Sequence, residues 1–509
     1  TRVLGMVVAT VVVAGGCSGG EGGEGADSGD RSTTSEDLDA DVVLGVGEEV
    51  VAELDPRYQS YNVEMVEVTG GEFWQPYDAG EGRVSRPPID LGSERLRNLA
   101  AELGPAYVRV SGSWANSMYF DADGTSGGVA PEGFVGVLTT EQWRGVGDFA
   151  EAVDGEVVTS FASNTGVRDA GGVWQPEQAR ALLEFSLAND IPLAAVEFFN
   201  EPSLPVGVPG GYDAEAYARD FAIFDELVSE VVPDMLVVGP GAVDDTTPLV
   251  IEPSIAATDM LDATSESLDV FGYHFYPKVS ERCGSAEGPE IALTEDYLSR
   301  VEVDQQYYED LRDTYMPEAP MWIGETAQAA CGGDRWAAQY LDVIRYVDTL
   351  GRLADGAGDV VFHNTLAASD YGLLDEEGFE PRPNYWAAVL WQRLMGAEVL
   401  SVEDGSGTDD LSVYAHCTAD GSGSATYAVV NSSEVESRSV ATGSGGATVY
   451  LLTADDLTGT DVELNGGVLE AEEDGTLPSL DGRAANGALE VPPASVAFVV
   501  DEAETAACT

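Results

Sequence analysis

The feature that most restricts this chain is a recurrence of short apolar runs separated by longer stretches of helical character. The runs lie near Tyr61–Val66, Ala106–Val110, Val157–Ala162 and Leu193–Phe199, then near Met235–Val238, Leu268–Phe275, Met321–Ile323 and Val360–Phe362. Runs this short between turn residues read as buried strands. The clearest helix follows the seventh run, where Trp336, Tyr340, Val343, Ile344, Val347 and Leu350 fall on one face. Another opens with Pro176 in its first turn and ends near Asn189, ahead of Pro192. Eight strands alternating with helices predict an α/β fold, a (β/α)8 TIM barrel.

From about Gly396 the texture changes. Alternating β-branched stretches at Leu411–Ala415, Thr426–Val430, Ala447–Leu452 and Ser495–Val500 are separated by Gly/Ser/Asp turns. They predict a β-sandwich over residues 396–509, behind a catalytic barrel over 42–395. Within the latter, Val42–Leu54 precedes the barrel and is a candidate extra strand of the sandwich. A chain of 509 residues, 44% hydrophobic, is long enough for both cores. No internal repeat is evident.

Residues 1–17 read as a signal peptide: Arg2, an apolar run from Val3 to Val13, then Ala14-Gly15-Gly16-Cys17. The ending resembles a bacterial lipoprotein signal, which makes Cys17 the expected lipidation site. Ala14 stands where such signals usually have leucine, so an ordinary secretory signal is the alternative. Both place the protein outside the cytoplasm, and the run is too short for a permanent span. Residues 18–41 form an acidic Gly/Ser/Thr-rich tether with too little apolar content to fold. With Cys17 lipidated, Cys283, Cys331, Cys417 and Cys508 remain, enough for two disulfides in any of three pairings, or for buried free thiols.

Charge excludes several partners. Asp and Glu number 91 against 23 Lys and Arg, a net charge of −68, and Lys278 is the only lysine. Such a surface repels nucleic acid, anionic membranes and highly sulfated polymers at low salt. A halophilic or salt-tolerant source is the expected origin of this balance. No His/Cys cluster has zinc spacing and no Gly-rich phosphate loop occurs, so neither metal nor cofactor is implied.

In such barrels chemistry sits at the C-terminal strand ends. The fourth run leads into Phe199-Asn200-Glu201-Pro202, and the seventh into Ile323-Gly324-Glu325-Thr326. One dipeptide of this kind means little among 91 acids. Two glutamates at the fourth and seventh strand ends, facing across the barrel mouth, are the pair a retaining glycosidase needs. Glu201 would be the acid/base and Glu325 the nucleophile, with pKa values pushed apart. Asn200 is placed to bond the sugar 2-hydroxyl. His274 and Tyr276, two apart at the sixth strand end, can share a face, and the tyrosine hydroxyl can hold the nucleophile ionised.

These residues, with four longer segments, resemble heparanase and the β-glucuronidases of glycoside hydrolase family 79. The segments are Gly104–Ser113 (GPAYVRVSGS), Gly324–Gly333 (GETAQAACGG), Asp370–Trp386 (DYGLLDEEGFEPRPNYW) and Leu411–Cys417 (LSVYAHC). The chain end up to Cys508 is also similar to the family's last strand. The resemblance implies Glu201 as acid/base and Glu325 as nucleophile. It implies that Tyr371, with backbone N–H groups around Gly332 and Gly333, holds a terminal uronic-acid carboxylate, and that Glu64 and Ser113 contact the same sugar. Asn164, at the third strand end, is a further contact on position alone. The family's C-terminal disulfide maps onto Cys417–Cys508, which leaves Cys283–Cys331 to join the loops after strands six and seven.

Departures set the expected substrate. His363 stands where the family has a glutamine, and Ala330-Cys331 where it has a tyrosine before the glycines. The basic cluster that heparanase carries beyond strand five is replaced by Gly241-Ala242-Val243-Asp244-Asp245, and no excised linker follows Asp121, so no proteolytic maturation is expected. The expectation is an exo-β-glucuronidase acting on a uronic-acid-containing glycan or glycoside, monomeric, without cofactor or nucleic acid, and touching membrane only through the lipid anchor. The alternatives are a β-glycosidase acting on a neutral sugar and a non-catalytic polysaccharide-binding surface lipoprotein.

Overall fold

The computed structural model describes residues 40–80, 82–243, 246, 254–356, 358–402 and 410–509. The expected signal, Cys17 and the tether up to residue 39 lie outside these, as do Asp244 and Asp245. Eight parallel strands close into a barrel: β1 (Gln59–Asn62), β2 (Ala106–Val110), β3 (Gly155–Ser160), β4 (Leu193–Glu197), β5 (Leu236–Ala242), β6 (Val270–Phe275), β7 (Met321–Thr326) and β8 (Gly358–His363), with β8 returning to β1.

Strand ends differ from the sequence reading by a few residues, and at two places the kind of element differs. The first run ends as a strand at Asn62, and Met65–Thr69 turns into a short helix. The Glu64 N–H donates to the Glu67 carboxylate, which starts that turn locally. Trp336 belongs to a 3-10 turn, Arg335–Ala338, and the long helix begins afterwards at Leu341–Asp355. The helix opened by Pro176 spans Glu177–Ala188.

Side chains alternate along a strand, so each barrel strand sends every second residue inward. Tyr107, Val158, Ala195, Val238, Val270, Trp322, Val360 and Phe362 form one apolar plug inside the barrel, with Tyr107 and Trp322 rings 4.7 Å apart. Two residues further along the same faces come Arg109, Ser160, Glu197 and Gly324. The plug therefore carries a polar layer, and that layer is the floor of the barrel mouth.

The C-terminal part is a sandwich. Its large antiparallel sheet runs in the order Val46–Glu53, Met395–Val402, Leu411–Thr418, Ser424–Asn431, Ser495–Glu504 and Gly446–Thr453, with shorter strands beyond. Val42–Leu44, Arg438–Thr442 and Leu489–Val491 make the facing layer. Val429, Val449, Ala497 and Val499 point into the sandwich core, while Ala428, Val430, Val496 and Phe498 point the other way into the barrel-side core. The large sheet is thus buried on both faces, and strand parity decides which core each residue joins. Disulfides join Cys283 to Cys331 and Cys417 to Cys508. Among the described residues no helix is long and apolar enough to cross a membrane.

The helix Leu341–Asp355 lies between barrel and sheet. Asp348 accepts from Tyr414 Oη at 2.7 Å and pairs with Arg352 at 2.6 Å. Gly351 lets the Tyr414 ring come so close that a Cβ there would meet a ring atom at 2.1 Å. Gly351→Ala should therefore overpack this contact and cost about 1–3 kcal/mol of stability, read as a lower midpoint in denaturant or thermal unfolding.

Candidate active site

A cavity of about 350 Å³ opens at the C-terminal end of the barrel. Glu64, Ser113, Glu201, Tyr276, Glu325 and Tyr371 all line it, although they come from five strand ends and the segment after β8. Its geometry starts from Arg109, 1% exposed on the polar layer. The Arg109 guanidinium grips Glu197 twice, Nε at 2.7 Å and Nη2 at 2.8 Å, and Nη1 donates to Glu325 Oε1 at 3.0 Å. A planar fork held by one carboxylate has its remaining donor fixed in direction. The ladder between β7 and its neighbours shifts register after Ile323 and opposite His274. Irregularities of this kind re-aim side chains next to active sites, and here the mouth receives Glu325.

Glu325 has both oxygens engaged. Tyr276 Oη donates to Oε2 at 2.9 Å, opposite the Arg109 contact. Burial pushes the Glu325 carboxyl up, but His274, Arg109 and the Tyr276 hydrogen bond outweigh it and hold it below the ordinary glutamate value. Glu201 sits just beyond β4 with a φ of 48°, and its Oε1 lies 3.2 Å from His274 Nδ1. Arg109 Nη2 approaches His274 Nε2 at 3.3 Å. Ligand atoms of Glu201, His274 and Glu325 lie within 4.8 Å of one another, the only such group among the described residues. A metal ion does not fit there, because Arg109 already supplies the cation against Glu325.

Around this pair the groups are of two kinds. Asn364 Nδ2 faces Tyr276 Oη at 2.9 Å, Tyr371 Oη at 3.3 Å and Glu64 Oε1 at 3.4 Å. Glu64 is 4% exposed, and its Oε2 has no partner among the described residues. Burial pushes its carboxyl well up, and the charge of Glu325 adds to that, which favours the neutral acid form. Behind Tyr371, residues 331–333 run through three consecutive positive φ angles, 65°, 84° and 75°. Gly332 has no room for a side chain, since a Cβ would meet Ser369 Oγ at 2.4 Å and Trp74 Cβ at 2.6 Å. Among the described residues, the N–H groups of Gly332 and Gly333 donate to no other group of the chain.

Several sequence-predicted contacts stand behind the cavity rather than in its wall. Asn200 Oδ1 accepts from Arg109 at 2.9 Å, which leaves Nδ2 buried without a partner. His274 bridges the carboxylates from below. Asn164 caps the turn Thr165–Val167, its Oδ1 accepting from Gly166 N–H, and it does not line the cavity. His363 is also off the cavity: its Nε2 donates to the Tyr371 carbonyl at 2.7 Å, and burial pushes its pKa down to about 3, so it is a neutral prop.

Sequence reading missed Arg109, Asn364 and an aromatic platform. Arg109 did carry a signal, a charge inside the run Ala-Tyr-Val-Arg-Val, where burial demands a counter-charge. The platform has none, because it is assembled from separate loops. Arg83, the one cation among the described cavity-lining residues, stacks over Trp74 at 4.3 Å and Trp114 at 5.3 Å. Trp74 and Arg83 are opposed on the hairpin Gly71–Trp74/Arg83–Arg86.

Comparison with known proteins gives a consistent kinship. Heparanase-like protein 1 of Arabidopsis thaliana is 25% identical over 499 residues, covering 84% of this chain and 88% of that protein. Baicalin-beta-D-glucuronidase of Scutellaria baicalensis is 25% identical, covering 90% and 91%. In fold, the chain is similar to a 4-O-alpha-L-rhamnosyl-beta-D-glucuronidase from Fusarium oxysporum, with TM-score 0.64, 14% identity and coverage of 90% of this chain and 100% of that one. The family model described as "Glycosyl hydrolase family 79, N-terminal domain" matches residues 88–351, a stretch that holds both Glu201 and Glu325. With more than half the chain matched and the barrel, sandwich and facing carboxylates in place, this chain belongs to glycosyl hydrolase family 79.

Proposed function

We propose that the chain is a retaining exo-β-glucuronidase in which Glu201 is the acid/base and Glu325 the nucleophile. The observation that carries this is the closeness of the two carboxylates, one oxygen of each lying within 4.8 Å of the other. Retaining enzymes hold their carboxyls about 5–5.5 Å apart, whereas inverting ones need roughly 6.5–9.5 Å to admit water between them and the sugar. Protonated Glu201 gives its proton to the leaving oxygen as the bond from that oxygen to the anomeric carbon breaks. A Glu325 oxygen forms an ester to the same carbon. Glu201, now a carboxylate, takes a proton from water, whose oxygen displaces Glu325 and frees the sugar. Arg109 and Tyr276 keep Glu325 ionised for the attack.

Preference for a glucuronide is supported by the groups on the β8 side. Tyr371 lines the cavity, and the N–H groups of Gly332 and Gly333, buried next to its wall residue Cys331 and donating to no other group among the described residues, suit a carboxylate, as backbone donors do where basic side chains are scarce. Glu64 in its neutral form can donate to a sugar hydroxyl. With Arg83 the one cation of the described cavity wall, a sulfated polymer finds little to hold it. The two disulfides support a place outside the cytoplasm.

The test is a panel of nitrophenyl β-glycosides with product stereochemistry read by NMR. Glucuronide should exceed glucoside and xyloside by at least about tenfold in kcat/KM, with β-glucuronic acid released first. A preference for glucoside or xyloside overturns the glycone assignment. Glu325→Gln should lower kcat by about a thousandfold or more, and Glu201→Ala should retain slow turnover of nitrophenyl substrates that azide accelerates. A non-catalytic binding protein would show neither effect.

Tyr276→Phe tests the electrostatics. The Glu325 carboxyl is depressed in the fold, so its ionised form persists as pH falls until that low value is crossed. Removing the donor raises it, and the acid limb of the kcat/KM profile should move up by about one pH unit. An unmoved limb would show that Tyr276 does not hold the nucleophile.

A further inference from the structure

We propose that the leaving-group side of the cavity is an apolar subsite that selects aglycones with extended apolar surface, aromatic ring systems above all, over sugar aglycones. The proposal rests on Glu201 being the acid/base. The group that protonates the leaving oxygen fixes where the aglycone lies, against the loop that carries it. That loop places Leu204 and Val206 on the cavity wall shortly after Glu201, and Val243 adjoins them from just past the end of β5.

The stretch after β2 completes the same surface with Met118 and Val135. Hydrogen bonds lock the two stretches together. Asn116 Nδ2 donates to the Asn200 carbonyl at 2.9 Å and to the Val206 carbonyl at 3.3 Å, while Asn116 Oδ1 accepts from Asn200 N–H at 2.9 Å. Val135 N–H donates to the Ser117 carbonyl at 2.9 Å, and Met118 is paired with Gly136 on adjoining strands. The wall that faces the departing group is therefore built together with the acid/base loop itself.

Polarity divides across the cavity. Glu64, Asn364 and Tyr371, able to bond hydroxyls or a carboxylate, cluster on the β1 and β8 side. On the opposite wall Leu204, Val206, Val243, Met118 and Val135 offer no hydrogen-bonding side chain, and beyond Glu201 the polar groups are Ser113, Ser117 and the Trp114 indole with Arg83 stacked over it. A sugar placed there would lose water from several hydroxyls and regain few partners. A planar apolar aglycone loses nothing polar and covers Val135, which is 76% exposed at the rim.

The experiment compares phenyl and 2-naphthyl β-D-glucuronides, whose leaving groups are close in acidity, on the full chain. The naphthyl compound should lead by about tenfold in kcat/KM. The naphthyl-to-phenyl ratio should fall toward one in Val135→Asp and in Val206→Ser. Val135 is exposed, so its variant tests the wall without disturbing a core. Equal kcat/KM for the two aryl compounds, a ratio unmoved by both variants, or a lower KM for a glucuronyl disaccharide than for the naphthyl compound overturns the subsite. If glucuronides are not cleaved but another phenyl β-glycoside is, the glycone reading fails by itself. The phenyl–naphthyl comparison on that sugar then decides the aglycone wall.

Discussion

The barrel mouth depends on one buried charge. Arg109 sits one layer above an apolar plug, where an unpaired guanidinium would be prohibitively costly, so the fold must bring carboxylates to it. Glu197 answers from β4 with both oxygens, and Glu325 answers from β7 with one. The same contacts that make the buried arginine tolerable also orient the pair across the mouth. A lysine could not substitute, because a point charge lacks the fork that fixes the third donor. Glu64 shows the reverse case, a carboxyl without a cation of its own, and burial moves it toward the neutral acid.

Support for the β8 side reaches back to the sandwich. The large sheet is buried on both faces, and its barrel-facing residues pack on the helix Leu341–Asp355. From that helix Tyr346 meets the His363 ring at 5.2 Å, and His363 in turn holds the Tyr371 carbonyl. A path of packed side chains therefore runs from the second domain to a cavity-lining tyrosine. The Cys283–Cys331 bond adds a covalent link between the loops after β6 and β7 on the same side. Rigidity behind the polar wall contrasts with the apolar wall, which is tied together by side-chain hydrogen bonds from Asn116 and Ser203 and by backbone contacts between loops.

Much of this was legible in the chain. Strand β2 could be read to the residue, and the remaining barrel strands to within a few residues, because plug residues and their flanking turns leave a clear apolar pattern. Where the reading slipped, local hydrogen bonding beat hydrophobicity: Met65 and Val66 are apolar enough for a strand, but the Glu64 N–H bonded to Glu67 turns them into a helix. His363 drew attention as a departure at a strand end and serves as a prop. Asn164 drew attention for its position and serves as a cap. Both misreadings have one cause, since a strand end fixes where a residue is but not which way its side chain is committed.

The sequence by itself determined the eight-fold strand–helix alternation, the β-rich tail and the two strand ends that carry Glu201 and Glu325, because periodicity is local and survives in one dimension. Only the tertiary structure decided what surrounds them. Arg109 to Glu325 spans 216 positions, and Asn364 to Glu64 spans 300. Such pairings are set by barrel closure and side-chain parity, which no local pattern records. The charge state of each carboxyl, and the division of the cavity into a polar wall and an apolar one, follow from those long-range contacts.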